Sequence, residues 1–177
     1  MLDHVTDAHE CDIEEWSKTE KGLRPDQAKK FRIRIDGEKF KTEDPMVTGR
    51  QILDLASIRP AEEHLVFQIL KSGMLEEIRL DETVDLRTPG LERFKTFKSD
   101  ASYRFMMDGR RFEWGATEIT GLTLKKLAGV DPNSFDVWLE IKGQEDELVE
   151  NTDFVDLTAK GIEKFFTGKK TTTEGQS

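Results

Sequence analysis

The sequence predicts an α+β protein built as two small domains in tandem, each a mixed sheet gripping one helix. The first observation behind this is an internal repeat. Phe31-Arg32-Ile33-Arg34-Ile35-Asp36-Gly37-Glu38-Lys39-Phe40 returns as Tyr103-Arg104-Phe105-Met106-Met107-Asp108-Gly109-Arg110-Arg111-Phe112, 72 residues later. The register continues through Thr48-Gly49 and Thr120-Gly121, Leu55-Ala56 and Leu127-Ala128, and Pro60 and Pro132. It then slips by one residue, so that Val84-Asp85-Leu86 meets Val155-Asp156-Leu157 and Glu92-Arg93-Phe94 meets Glu163-Lys164-Phe165. The second observation is the period itself, about 70 residues, which is longer than a solenoid unit and requires each copy to bury its own core. The third is pattern: each copy holds several stretches of period two around one short stretch of helical period, and a sheet covering one helix buries both kinds of stripe.

The elements of the first copy follow in order. Phe31, Ile33 and Ile35 share one face of a strand and Arg32 and Arg34 the other, and Asp36-Gly37 supplies the positive φ angles of a tight hairpin. The return strand runs over about 38–43. Thr48 is placed as an N-cap, Ile52, Leu55 and Ala56 form an i, i+3, i+4 stripe, and Arg59-Pro60 closes the helix. Leu65 to Leu70 is a strong strand, Glu77 to Leu80 a short one, and Leu91 to Phe97 the last, after a Thr88-Pro89-Gly90 turn. Ile33, Ile35, Ile52, Leu55, Phe67 and Phe94 are expected to be buried together. The second copy repeats the order: a hairpin over 103–114, a helix over 120–128, a central strand over 136–141, a weak strand near Leu148-Val149 and a last strand over 162–167. Trp114, in parity with Phe112, is expected on the core side.

Charge and composition narrow the function. At 36% hydrophobic and 36% charged residues, the 177-residue chain has core material for two small domains better than for one large one. Residues 1–28 carry 8 acids against 3 bases, lack sustained periodicity beyond one possible turn at Asp12 to Trp16, and read as a flexible acidic arm. The domains are expected at 29–98 and 102–168, with a tail at 169–177. A net charge of −9 repels phosphate backbones, so nucleic acid is not an expected partner. No apolar run approaches a membrane span and the N-terminus has no leader pattern, so neither a membrane partner nor export is expected. One cysteine, Cys11, forms no internal disulfide, in keeping with a reducing cytoplasmic setting.

This order of elements, with its Asp-Gly hairpin, its proline after a short helix and its last strand running to a glycine, resembles ubiquitin and its β-grasp relatives. The segments IDGEKF, ITGLTLKKLAGVDP and ERFKTF are similar to those of the bacterial multiubiquitin-domain family, over about residues 30–168. The resemblance implies two tandem ubiquitin-like β-grasp domains acting as a protein modifier. Its implied partners are a ubiquitin-activating-like enzyme, a ubiquitin-conjugating-like enzyme, a zinc-dependent deubiquitinase-like peptidase and the target proteins. Such a protein is a substrate of enzymes and not an enzyme itself, and no cofactor is implied. The double glycine that ends ubiquitin is here a single Gly168.

Gly168 is the residue on which chemistry would turn. A carrier of this kind threads its last residues through a narrow channel where any Cβ collides. Phe166 and Thr167 lead into Gly168, and Lys169 to Ser177 is polar and aperiodic. On the functional reading the peptide bond between Gly168 and Lys169 is cut and the tail discarded; on the plainer one, a glycine merely ends a strand. The first copy has Phe97 in place of Gly168, so the tandem is expected to be handled whole. Strand parity puts Val137, Leu139 and Ile141 inward and Trp138 outward, and in the first copy Leu65, Phe67 and Ile69 inward and Val66 outward. Trp138 and Val66 are therefore candidate partner contacts, although Trp138 could equally pack against other parts of the chain. An unconjugated tandem adaptor, docking through Trp138, and a sulfur carrier holding a thiocarboxylate on Gly168 are the rival readings. His4, His9, Cys11 and Asp12 match no structural zinc spacing, and His64 lacks a nucleophile in its copy.

Overall fold

The computed structural model describes residues 8–171 apart from Pro89 and Lys160. His4, the Pro89 of the expected turn and residues 172–177 of the expected tail lie outside the described residues. The chain divides into two compact units, one built from residues up to Ser99 and the other from Asp100 onward, with Ser72–Met74 counted in the second.

In chain order the first unit contains β1 (Glu10–Asp12), α1 (Ile13–Thr19), β2 (Lys30–Ile35), β3 (Glu38–Thr42), β4 (Met46–Thr48), α2 (Gly49–Leu55), β5 (His64–Leu70), β6 (Leu75–Ile78), β7 (Thr83–Asp85) and β8 (Leu91–Lys98). β2 and β3 form the hairpin, turning on Asp36 at φ 51° and Gly37 at φ 85°. The main sheet runs β1-β2-β8-β5-β6, with β3 on the other side of β2, and β8 lies parallel to β2. Thr48 caps α2 in a capping box: the Gln51 N–H donates to Thr48 Oγ1 at 3.1 Å and the Thr48 N–H to Gln51 Oε1 at 2.8 Å. Phe31, Ile33, Ile35, Ile52, Leu53, Val66 and Phe94 form the core between helix and sheet.

The second unit contains β9 (Tyr103–Met107), β10 (Arg110–Trp114), β11 (Glu118–Thr120), α3 (Gly121–Ala128), β12 (Phe135–Glu140), β13 (Glu147–Val149), β14 (Phe154–Asp156) and β15 (Glu163–Lys169). Its sheet runs β10-β9-β15-β12-β13, with β15 again parallel to the first strand of the hairpin. Thr120 caps α3, and Gly129 at φ 74° ends it. The core is Phe105, Met107, Ile119, Leu124, Val137 and Phe165, and Trp114 packs against it half-buried, its Nε1–H donating to the Glu118 carbonyl at 2.9 Å. Each unit is thus a mixed sheet curled around one helix, the β-grasp arrangement.

Three expectations are corrected. Parity in the central strand of the first copy is reversed: Val66 is 0% exposed and belongs to the helix-side core, while Phe67, though only 3% exposed, lies on the opposite face. The physical reason is where the one-residue slip falls. Three residues lie between Pro60 and His64 and only two between Pro132 and Phe135, so Val66 corresponds to Val137, and a slip of one moves every side chain of a strand to the other face. Second, the stretch 10–28 is not a flexible arm. β1 pairs in parallel with β2, Cys11 against Phe31, and α1 follows with Asp12 as its N-cap and Ile13 and Ser17 buried. Third, the last strand runs through Gly168 to Lys169, so the second domain does not end at Gly168 and the tail does not begin at Lys169.

Candidate functional site

The candidate site is the C-terminal end of β15. Over Lys164–Phe165 this strand lies between β9 and β12, but from Phe166 onward its register continues with β12 alone, Gly168 opposite Asp136 and Lys169 opposite Phe135. One further bond, from the Lys170 N–H to the Ser134 carbonyl at 2.9 Å, extends the pairing beyond the strand. Just before the glycine the strand is tied down. The Asp108 carboxylate, at the hairpin turn, accepts the Thr167 N–H at 2.8 Å on one oxygen and the Thr167 hydroxyl at 2.7 Å on the other. The first unit has the same clasp, with Asp36 accepting the N–H and hydroxyl of Thr96 at 2.8 and 2.6 Å. Sequence reasoning saw the Asp-Gly turns but missed this use of them. The signal was present in both copies, a Thr at the same place in each last strand.

Gly168 itself has no constraint from the fold. Its backbone is extended, and a Cβ added there meets nothing within 4 Å, whereas one at Gly121 would lie 2.1 Å from the Glu150 carbonyl oxygen. The corresponding residue of the first unit, Phe97, sits opposite Leu65 as Gly168 sits opposite Asp136. Its ring packs edge-on to Phe67, centroids 5.7 Å apart. Phe67 corresponds to Trp138, so the ring that a phenylalanine would lay over this face is missing in the second unit. The strand position accepts a bulky residue in one copy and holds none in the other.

On the outer face of the second sheet, Trp138 stands directly opposite Phe166, and both are half-buried. Trp138, Phe166, Thr167 and Gly168 are therefore brought together at one strand end, and Lys169 follows, exposed. Val66 is not part of any such surface, being enclosed in the first core.

A family model described as Multiubiquitin matches residues 31–99 and 103–170. The chain belongs to the multiubiquitin family. A search of curated proteins finds no match. In this multiubiquitin protein the two matched regions coincide with the two β-grasp units and leave β1 and α1 outside them.

The remaining candidates of this multiubiquitin chain have structural roles. Cys11 is buried, and burial, reinforced by the Asp12 carboxylate beside it, pushes its thiol from 9.0 up to about 11. His64 Nδ1 lies 2.8 Å from the Pro60 carbonyl. Among the described residues no group of three or more His, Cys, Asp or Glu is placed to hold a metal ion, and no helix is long and apolar enough to cross a membrane.

A second cluster was not visible in the sequence. Across the β2-β3 hairpin Arg32 faces Lys41 and Arg34 faces Lys39, an arrangement of like charges that disfavours the pairing unless an anion intervenes. β1 and α1 supply the anions. Arg32 lies 2.9 Å from Glu10, Arg34 3.2 Å from Glu14, Lys41 3.8 Å from Glu10 and Lys39 3.8 Å from Asp12.

Proposed function

We propose that this multiubiquitin protein is a two-domain modifier whose working end is Gly168. A zinc-dependent deubiquitinase-like peptidase cuts after Gly168, a ubiquitin-activating-like enzyme adenylates the new carboxylate, and a ubiquitin-conjugating-like enzyme passes the acyl group to target proteins. The observation that carries this reading is that the fold has no use for a glycine at 168. Steric need and positive φ explain other glycines of the chain; here neither applies, and the equivalent position tolerates Phe97. A missing side chain is what a narrow enzyme channel demands.

The strand geometry adds a step to the mechanism. Gly168 and Lys169 are paired with β12, so the segment must peel away from Asp136, Phe135 and Ser134 before a peptidase or activating enzyme can take it in extended form. Each bond surrendered costs about 1 kcal/mol net, within the reach of enzyme binding. The Asp108–Thr167 clasp sets a natural limit to peeling, leaving Gly168 as the first residue beyond it. Trp138 and Phe166, uncovered by any ring at 168, form an apolar platform beside that end and suit an enzyme contact.

Replacing Gly168 with Phe, as the first unit has at Phe97, should leave both domains folded and abolish conjugates in cells holding the cognate enzymes, as read on immunoblots. Conjugates that persist in that variant would refute the assignment. The half-buried Trp138–Phe166 pair also favours a second reading, an unconjugated tandem adaptor; Trp138→Ala would then abolish partner binding while Gly168→Phe would not. A sulfur carrier would instead show a sulfur-for-oxygen exchange at the Gly168 carboxylate by intact mass.

A further inference from the structure

At the end of the last strand the two units share a backbone arrangement and differ in side chains. The Lys170 N–H donates to the Ser134 carbonyl at 2.9 Å, and in the first unit the corresponding Ser99 N–H donates to the Glu63 carbonyl at 2.9 Å. The facing pair just before this bond is Leu65 with Phe97 in the first unit and Asp136 with Gly168 in the second. The glycine that breaks the repeat therefore faces an aspartate that breaks it too. Asp136 Oδ1 lies 4.0 Å from Nζ of Lys170, the diagonal neighbour two residues beyond Gly168, where the first unit has Ser99. This ion pair spans the Gly168–Lys169 bond. Its anion belongs to β12 and its cation to the segment beyond the bond.

We propose that Asp136 is a positioning residue of the processing site, holding the uncut strand end on β12 through Lys170 and releasing it once the bond is cut. The inference rests on the modifier reading of Gly168 and concerns the state of the end before and after hydrolysis. Hydrolysis adds water across the bond, leaves a carboxylate on Gly168 and removes Lys170 with the tail. The neighbour of Asp136 thus changes from a cation to an anion. By the alternation of an antiparallel ladder, the Lys170–Ser134 bond makes Gly168 and Asp136 a hydrogen-bonded pair as well. After the cut that pair is the last one, and repulsion between two carboxylates close together at a surface is comparable with the net gain of one backbone hydrogen bond. The other cation whose field reaches Asp136, Lys125, is 2% exposed and donates to the Pro132 carbonyl at 3.3 Å, so it is not free to cross to the new terminus. The exposed ion pair contributes little by itself. The reversal of sign is what opens the end, so the enzyme that follows the peptidase meets Gly168 off the sheet only in the cut chain.

The test is solvent exchange of backbone amides, followed by NMR on the isotope-labelled full-length protein and on the chain ended after Gly168, which keeps every residue of both cores. Each is compared with its Asp136→Asn form. In the full-length protein Asp136→Asn should speed exchange at Gly168 and Lys170 about two- to fivefold, as expected for the loss of an exposed ion pair. In the chain ended after Gly168 the same substitution should instead slow exchange at Gly168 by a similar factor. Ending that chain in a carboxamide, which carries no charge, should slow it likewise. A merely structural aspartate would act with the same sign in both chains. That outcome, or no effect of Asp136→Asn in either chain, would overturn the proposal, as would full-length Lys170→Glu exchanging no faster than wild type. No enzyme is present, so a failure here leaves the conjugate assay on Gly168→Phe standing, and a failure of that assay leaves these exchange rates unchanged.

Discussion

Asp108 holds a backbone conformation and a side-chain clasp at once. Its φ of 53° starts the hairpin turn, and its carboxylate grips Thr167, 59 residues further on. Asp108→Ala removes two charge-assisted bonds and places alanine in the left-handed region, so it should cost about 1–2 kcal/mol in urea denaturation, discounted for its exposure. It should also loosen the strand ahead of Gly168, raising amide exchange at residues 166–169 above that of the rest of β15. Exchange unchanged along the whole strand would show that β12 pairing alone holds that end. Gly168→Ala should leave stability unchanged or raise it by about 0.5–1 kcal/mol, because the site is extended and open and glycine weakens strands. A large loss of stability in that variant would show that the fold does need glycine there.

At the scale of elements, the hairpins, α2, α3 and the Thr48 cap were legible because local chemistry determines them: alternation, Asp-Gly turns and a capping hydroxyl each act within four residues. Face assignment in β5 was not. It hinged on one residue missing from the loop before β12, and a parity error of one exchanges Val66 for Phe67 with no change in composition. β1, and all of α1 beyond one possible turn at Asp12 to Trp16, were illegible for another reason. Their stabilisation is tertiary, a parallel ladder on β2 and ion pairs to Arg32, Arg34, Lys39 and Lys41, and seven helical residues carry too little periodicity of their own. The Cys11 thiol reports on this element. Its pKa is raised on folding from 9.0 to about 11, so the folded state keeps a proton that the unfolded chain loses. That contribution to stability is complete below pH 9 and disappears as the pH rises toward 11. Wild type should therefore lose stability more steeply than Cys11→Ala between about pH 9 and about pH 11. Parallel slopes would mean that β1 does not enclose the thiol.

For the whole molecule, the tandem repeat carried the architecture and the family together, while the proposed function rests on one residue that breaks the repeat. The two cores share no residue, so each unit has its own cooperative unit of folding. Phe105→Ala, in the second core, should cost about 3–5 kcal/mol and unfold that unit while the near-native signal of Trp16 in the first persists. Simultaneous loss of both would contradict independent cores. Gly168 was found in the sequence through the family resemblance, the repeat that sets Phe97 against it and the polar stretch that follows it. Its pairing with Asp136 was not, since a strand's end depends on its partner, and that pairing makes exposure of the site an opening event. The most direct test of the central claim is the intact mass of the protein recovered from its host with the cognate enzymes present. A species ending at Gly168, absent from Gly168→Phe, is the predicted result. Protein retaining every residue beyond Gly168, with no conjugates in those cells, would contradict the account.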